Sequence, residues 1–350
     1  MRLTVASALA LLLCATNELP AQAPYLVKDI NPVVDPSLGT DPRQLSAATD
    51  FVYFVGGAGP AYRGFWRTGG TAPTTSLILD ALWGAEPQVA TMGNTGYFSF
   101  LDHSGEELWR TDGTAAGTTL VKDIYPGSAS SSPRQLTVAG SLVFFVAYDG
   151  SQVGLWRSDG TEAGTIPLTA VSNPMDFTAA GSILYFTESG GATGRELWRS
   201  DGTVAGTFLL DDACPGSCSG LPALLTPVGN LLYYSVYDPT YGEELWVTDG
   251  SPAGTHIVAD LFPGGLGPGI GDIEALAGTV LFTTRTPPQG VWSTDGTAGG
   301  TQQIATLDAE SLTSAAASVF FVGTTAATGS ELWRTDGTAA GTVQVADLCP

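Results

Sequence analysis

Short runs that are apolar at nearly every position recur along the chain, each inside a unit of about 45 residues. The clearest runs are FVYFV at 51–55, LVFFVA at 142–147, ILYF at 183–186, LLYYSV at 231–236 and VFFV at 319–322. Successive side chains of a strand point to opposite faces, so such a run predicts a strand that is covered on both faces. The next run in each unit places Leu beside Trp, as at Leu108 and Trp109, and predicts a second strand of this kind. The pattern therefore favours sheets packed between neighbouring sheets.

The unit repeats seven times, and each copy can be located by its Trp. Within one copy, residues 133–170, the segments PRQLTVAG, SLVFFVAYDG, VGLWRSDG and GTIPLTA predict four strands, with Asp-Gly and Ala-Gly pairs at the turns. Four strands in about 45 residues match the size of a propeller blade. We expect an all-β fold, a seven-bladed β-propeller of four-stranded antiparallel blades, with eight blades as the alternative. The seven anchors are Trp66, Trp109, Trp156, Trp198, Trp246, Trp292 and Trp333.

The two ends of the chain complicate this ring. Residues 26–30, LVKDI, copy the fourth strand of the second repeat, although the last repeat has a fourth strand of its own at 343–348. One of these two strands is surplus, or the blades are framed differently from the repeats. We predict a single propeller domain over residues 24–350.

The N-terminus has the pattern of a secretory signal peptide over residues 1–23. Arg2 precedes an apolar stretch, 3–15, that is too short to cross a bilayer, and AQA at 21–23 has the form of a cleavage site. Lipidation at Cys14 is disfavoured because the bulky Leu13 precedes it. We expect a protein that is secreted or held at the outer cell surface, without a membrane-spanning segment.

Composition narrows the range of partners. The net charge is −21, and Lys28 and Lys122 are the only lysines, so binding to nucleic acid is excluded as a working hypothesis.

Cys214 and Cys218 flank a Pro-Gly turn, and a local disulfide is favoured over free thiols or a metal site. Cys349 then has no predicted partner. We expect a monomer.

The copies GEELWRTDGTAAGT, GRELWRSDGTVAGT, GEELWVTDGSPAGT and GSELWRTDGTAAGT resemble the ELWxxDGT repeat of secreted bacterial proteins. The likeness covers residues 25–350. It implies an extracellular or surface protein with propeller-like repeats, and it brings no set of catalytic residues. The first copy departs from the motif at Gly69, and the fifth departs at Ser251.

The repeated Asp is the first candidate for chemistry. Six carboxylates in a ring could bind Ca²⁺, whereas an Asp before Gly-Thr can also accept hydrogen bonds within its own turn. Because the same residue recurs in six of seven copies, the turn interpretation is favoured, and no cofactor is predicted beyond an optional Ca²⁺. The six residues are Asp112, Asp159, Asp201, Asp249, Asp295 and Asp336.

A second acidic set lies between the second and third strands of several repeats, at Asp102, Asp149, Glu188 and Asp238, with Glu106-Glu107 and Glu243-Glu244 nearby. Solvated loops are the favoured interpretation of this set, and ligand binding by Asp102, Asp149 or Asp238 is the alternative. Trp83 lies outside the repeat motif and could stack on a sugar, although local packing is more common.

Catalysis has little support in the sequence, because His103 and His256 are the only histidines and neither lies in a recognisable motif. The leading prediction is therefore a non-enzymatic binding module whose ligand is an extracellular glycan or protein. The alternatives are a carbohydrate-active hydrolase or lyase on a propeller scaffold, and a structural particle stabilised by Ca²⁺.

Overall fold

A computed structural model describes residues 42–57, 64–80, 88–189, 193–264 and 267–347 of the chain. The predicted signal peptide, the strand copy at 26–30, Cys14, Trp83 and Cys349 lie outside the described residues.

The described chain forms seven four-stranded antiparallel sheets, each built from four consecutive strands. Sheet 1 contains β1 (Arg43–Ala47), β2 (Val52–Gly56), β3 (Gly64–Thr68) and β4 (Ser76–Leu79). Sheet 2 contains β5 (Ala90–Met92), β6 (Thr95–Asp102), β7 (Gly105–Thr111) and β8 (Thr119–Lys122). Sheet 3 contains β9 (Arg134–Ala139), β10 (Leu142–Tyr148), β11 (Val153–Ser158) and β12 (Ile166–Ala170). Sheet 4 contains β13 (Met175–Ala180), β14 (Ile183–Ser189), β15 (Arg195–Ser200) and β16 (Phe208–Asp211).

The last three sheets continue the series. Sheet 5 contains β17 (Ala223–Val228), β18 (Leu231–Asp238), β19 (Gly242–Thr248) and β20 (His256–Ile257). Sheet 6 contains β21 (Ile270–Leu276), β22 (Thr279–Thr284), β23 (Gly290–Thr294) and β24 (Gln302–Ala305). Sheet 7 contains β25 (Asp308–Ala315), β26 (Ser318–Thr325), β27 (Gly329–Thr335) and β28 (Val343–Gln344). Two short 3₁₀ turns, η1 (Ala72–Thr74) and η2 (Pro252–Gly254), lie before β4 and β20. The predicted all-β class and the seven four-stranded antiparallel units are confirmed.

Neighbouring sheets pack face to face, in chain order. The first strands of successive sheets, from β1 through β5, β9, β13, β17 and β21 to β25, contact one another in series. Six buried apolar clusters lie between the sheets, one for each consecutive pair. Between sheets 2 and 3, for example, Leu108 and Val121 pack against Leu136, Val143 and Phe145. This arrangement covers both faces of the inner sheets and explains why their second strands are apolar at consecutive positions.

Each sheet thus has two distinct faces. We call the face that packs on the following sheet its forward face; it carries an apolar residue of the third strand and an aliphatic residue of the fourth, such as Leu108 and Val121. The opposite, backward face carries an aromatic residue of the second strand and the repeat Trp. Phe145 and Trp156 stack there with ring centroids 6.5 Å apart, and four other sheets repeat this stacked pair.

No helix in the described part of the chain is long and apolar enough to cross a membrane.

Candidate functional site

The repeated Asp shapes the turn that follows the third strand. In sheet 3, Oδ1 of Asp159 accepts hydrogen bonds from the backbone N–H of Thr161 at 2.9 Å and from its hydroxyl at 2.7 Å. Gly160 has φ of 90°, and a Cβ there would lie 2.4 Å from the Tyr97 hydroxyl of sheet 2. The turn therefore needs a glycine both for its conformation and for its contact with the preceding sheet.

Five of the other repeats contain the same pair of bonds from Thr or Ser to the carboxylate. The hydroxyl and the N–H each donate a hydrogen bond to the charged carboxylate, and the pKa of all six carboxyls lies below the usual value. These two bonds are the main cause at Asp112, Asp159, Asp249, Asp295 and Asp336. At Asp201 partial burial acts in the opposite direction, but the hydrogen bonds from Thr203 outweigh it and the pKa is lowered there too.

The glutamate of the repeat is buried. Glu107 is fully buried, and its carboxylate accepts hydrogen bonds from the N–H groups of Ile124 and Ser131 in the segment that connects sheet 2 to sheet 3. Glu196 and Glu244 are also fully buried and bind the equivalent connecting segments. Burial raises the pKa of Glu196 and of Glu244 to about 7. The expectation that Glu107 and Glu244 belong to solvated loops is wrong, because each glutamate binds a sheet connection from inside the protein.

Sheet 3 lacks this glutamate, since Gly154 occupies its position. The segment after sheet 3 is held instead from the next sheet: Oε1 of Glu188 in β14 accepts from the N–H groups of Ser172 at 2.9 Å and Asn173 at 3.1 Å. Glu188 is itself buried. The expectation of a solvated loop is therefore wrong for Glu188 as well.

The three loop carboxylates predicted as alternative ligands are bonded within their own hairpins. Asp102 Oδ1 accepts from Ser104, Asp149 Oδ1 accepts from Ser151, and Asp238 Oδ1 accepts from Thr240. Each lies at the end of a different sheet. Among the residues that the structure describes, no three His, Cys, Asp or Glu side chains come together as a metal site. A Ca²⁺ ion therefore remains a prediction from the sequence.

Neighbouring first strands are bridged by one side chain at a recurring position. Gln88 of the segment leading into sheet 2 accepts from the N–H of Leu136 at 3.0 Å, and Gln135 of sheet 3 donates to the carbonyl of Pro174 at 2.7 Å. Between sheets 6 and 7, Asp272 accepts from the N–H of Ser311 at 2.8 Å. The bridging residue is polar because it must reach a backbone group on the next sheet.

Among the described residues, bridges of this kind are seen at three of the six interfaces, and the interface between sheets 4 and 5 is not one of them. Asp176 occupies the bridging position of sheet 4, but its carboxylate binds Arg195 and the Thr187 hydroxyl of its own sheet. In sheet 5 the position is taken by Leu224, whereas the other six sheets have Gln, Asp or Ser there.

A cavity of about 620 Å³ lies where the bridge is missing. Its walls are the start of β13, the first residue of β15, and residues 221–225 at the start of sheet 5. Leu221 and Leu224 are 58% and 38% exposed, and Met175 is also exposed. Large aliphatic side chains thus face solvent beside the Arg195–Asp176 ion pair, an arrangement that suits a ligand with both apolar and polar groups.

The connection beside this cavity is cross-linked by the disulfide between Cys214 and Cys218. Gly194, which precedes β15, lies against the carbonyl of Cys218 so closely that a side chain would clash with it. The disulfide and this contact fix the segment that leads into residues 221–225.

The comparisons with known proteins give partial likenesses of structure. No family model matches the chain, and no curated protein matches it. A computationally designed protein, Ika8, is 12% identical with a TM-score of 0.48, over 88% of each chain. The β-propeller domain of the Trilobed protease from Pyrococcus furiosus is 13% identical with a TM-score of 0.41, over 89% of this chain and 100% of that one. Oligopeptidase B from Leishmania major is 12% identical with a TM-score of 0.47, over 88% of this chain. The chain spans about half the length of the peptidase chains that it matches.

Proposed function

We propose that the chain is a secreted or cell-surface, non-enzymatic binding module that recognises an extracellular protein through the cavity between sheets 4 and 5. The cavity carries the proposal, because exposed aliphatic side chains lie beside an ion pair there. Asp176 binds its own sheet and makes no bridge to sheet 5, and Leu224, at the same position of sheet 5, has no polar group with which to bridge to sheet 6. The ELWxxDGT resemblance and the N-terminal pattern support the extracellular location.

The scaffold of this module is, in the same proposal, a seven-bladed β-propeller in which the seven sheets are the blades. Its support is the serial contact of the seven first strands and the six face-to-face interfaces. Propellers commonly bind partners at the ends of their blades, where loops are free to vary.

The lining favours a protein over a glycan. Sugars bind well to exposed aromatic rings, whereas the cavity offers aliphatic side chains and one half-buried ring, Phe177. The Asp176 side chain is 43% exposed, and the whole chain has a net charge of −21. We therefore infer a peptide segment with an apolar side chain for the cavity and a Lys or Arg beside Asp176.

A random peptide library displayed on phage tests this function with the mature protein as bait. The variant Leu224→Gln restores the polar residue found at this position in three other sheets, and Leu231→Gln changes an equally exposed leucine of the same sheet, away from the cavity lining. We expect apolar-basic peptides to be enriched by the wild type and by Leu231→Gln, and lost with Leu224→Gln. Enrichment that survives Leu224→Gln, or cavity-dependent binding on a glycan array instead, would overturn the proposed protein ligand.

A further inference from the structure

Sheet 6 lacks the buried glutamate that holds the connection to the next sheet in sheets 2, 4 and 5. In those sheets the carboxylate accepts a hydrogen bond from the N–H 17 residues further along the chain, as Glu107 does from Ile124. Gly290 occupies the glutamate position of sheet 6, and the strand register places Leu307 where sheet 2 has Ile124. Among the described residues, no acceptor receives a hydrogen bond from the Leu307 N–H. A backbone donor is therefore left open at this point.

The next sheet does not supply a substitute acceptor. Sheet 3 also lacks the glutamate, and Glu188 of sheet 4 binds its connection instead. The counterpart of Glu188 in sheet 7 is Gly323, because each pairs with the third-strand glutamate of its own sheet. Glycine has no side chain with which to reach Leu307. The acceptor for the Leu307 N–H must then come from outside the protein.

A cavity of about 320 Å³ lies beside this open donor. A side chain at position 290 cannot fill it, since a Cβ there would lie 2.0 Å from the carbonyl oxygen of Ala305. The lining carries no charged residue, although the chain has a net charge of −21. The lining residues are Pro287, Pro288, Gln289, Gln303, Thr306 and Leu307.

Hydrogen bonds fix two walls of the cavity. The Thr284 hydroxyl, which is 1% exposed, donates to the carbonyl of Pro288 at 2.6 Å and accepts from Nε1 of Trp292 at 3.1 Å. On the other wall, Nε2 of Gln303 donates to the carbonyl of Gln289 at 2.7 Å. Because the amide nitrogen of Gln303 faces that carbonyl, its Oε1 remains as an acceptor for a ligand.

The open polar groups of the cavity include both donors and acceptors. The Leu307 N–H is a donor, Oε1 of Gln303 is an acceptor, and the side chains of Gln289 and Thr306 bond to no other described residue. Two proline rings supply apolar surface beside them. An acetamido group matches this set, because it carries a carbonyl acceptor, an N–H donor and a methyl group on neighbouring atoms. An anionic ligand is disfavoured by the acidic chain and the uncharged lining.

We propose that this cavity binds an N-acetylated sugar unit of an extracellular glycan. The acetamido carbonyl accepts from the Leu307 N–H, the acetamido N–H donates to Oε1 of Gln303, and the methyl group packs on the prolines. Gln289 and Thr306 then bond the ring hydroxyls. The cavity volume is at the lower end of the range for small-molecule sites, which suits one sugar ring better than a peptide segment. The site is separate from the cavity between sheets 4 and 5 and does not rest on the peptide ligand proposed there.

Saturation-transfer NMR with the mature protein tests the ligand chemistry. The probes are the methyl glycoside of N-acetylglucosamine, methyl glucoside as the matched sugar without the acetamido group, and Nε-acetyl-lysine amide as the acetylated amino acid. We expect transfer to the N-acetylated sugar, strongest at its acetyl methyl, and little to the other two. Equal transfer to both sugars, no transfer to any probe, or a preference for acetyl-lysine amide would overturn the proposed sugar ligand.

Three leucine variants locate the binding. Gln303→Leu removes the proposed acceptor, and Gln302→Leu, the exposed neighbour outside the lining, is its matched control. Gln289→Leu is the second cavity variant, because that side chain bonds to no described residue and its loss leaves the fold intact. We expect affinity for the N-acetylated sugar to fall about fivefold to tenfold with Gln303→Leu and Gln289→Leu and to stay unchanged with Gln302→Leu. Affinity that survives both cavity variants would place the sugar elsewhere and overturn the site. The peptide selection through Leu224 is unaffected by these variants, so the two proposals fail separately.

Discussion

The repeat motif carries two kinds of carboxylate, and the fold gives them opposite environments. The Asp of the Asp-Gly-Thr turn is solvent-exposed in Asp112 and Asp159, and hydroxyl and N–H donors lower its pKa. The Glu before Leu-Trp is buried in Glu196 and Glu244, and loss of hydration raises its pKa. Both hold backbone groups in place, one within a turn and the other across a connection between sheets.

Substitution of a single turn Asp tests the first role. Asp159→Ala removes the acceptor of two hydrogen bonds, so we expect the free energy of unfolding to fall by about 1 kcal/mol. Asp159→Asn retains a carbonyl acceptor and is expected to lose less. Glu162→Ala in the same loop is the control for loss of a negative charge alone. Urea unfolding at pH 7 measures all three, and equal losses for Asp159→Ala and Glu162→Ala would contradict the turn role.

The buried glutamates predict a pH dependence of stability. The pKa of Glu244 is about 7 in the fold and 4.5 for an unperturbed glutamate, so the stability that its protonated form contributes is fully present below pH 4.5 and is lost as the pH rises through 7. The lowered pKa of the turn carboxyls acts in the opposite direction and costs stability only as the pH falls below about 4.

Glu244→Gln isolates this effect. Oε1 of Glu244 accepts both observed hydrogen bonds, so the neutral amide can retain its acceptor. We expect the variant to be more stable than the wild type at pH 8, by about 3 kcal/mol from a shift of this size, and to be no more stable at pH 4.5. Urea unfolding across pH 4.5–8 measures the difference, and a constant offset between the two proteins would contradict it.

At the scale of strands and connections, the carboxylate that holds a connection is not tied to one sequence position. Sheet 3 has Gly154 where its neighbours have glutamate, and Glu188 of the following sheet binds the same connection. The repeat thus tolerates the loss of a motif residue when the next element supplies the missing acceptor.

Removal of Glu188 tests whether this residue takes over the role of the repeat glutamate that sheet 3 lacks. Glu188→Ala leaves the N–H groups of Ser172 and Asn173 without their acceptor, and we expect a loss of about 2 kcal/mol in the free energy of unfolding. Glu107→Ala in sheet 2 should cost a similar amount, and Glu188→Gln should cost less than Glu188→Ala. Guanidinium unfolding compares them. A Glu188→Ala variant as stable as the wild type would show that the connection holds without it.

The strands were predictable from sequence because local rules dominate them. Apolar runs such as 142–147 and Gly-marked turns such as Gly160 depend on neighbours a few residues away.

The cavity was not predictable, because it depends on which backbone group Asp176 can reach across a sheet interface. Leu224 does break the pattern at its position, but the pattern appears only after the first strands are aligned by their register. Glu107 and Glu244 were misplaced because burial of a carboxylate needs N–H groups 17 to 24 residues further along the chain.

At the scale of the whole molecule, the proposed seven-bladed ring requires a contact between sheet 7 and sheet 1, and this contact would decide how the protein unfolds. A linear series of sheets has two ends, and its terminal units lack one stabilising neighbour each, so they open first. A closed ring has no ends, and each unit is held from both sides. The structure leaves Leu332 and Leu45 accessible, and the two alternatives therefore differ most in sheets 1 and 7.

Hydrogen exchange of backbone amides distinguishes a closed ring from a linear series. If sheet 7 docks on sheet 1, amides of β26 and β27 should exchange as slowly as those of β10 and β11 in sheet 3, since both sets then open only with the whole domain. The Leu332→Glu variant should accelerate exchange in sheets 7 and 1 and leave sheet 3 nearly unchanged, because the altered contact belongs to the ends alone. Exchange that is already fast in sheets 7 and 1 of the wild type, with sheet 3 protected, is the outcome expected of an open series and would contradict closure.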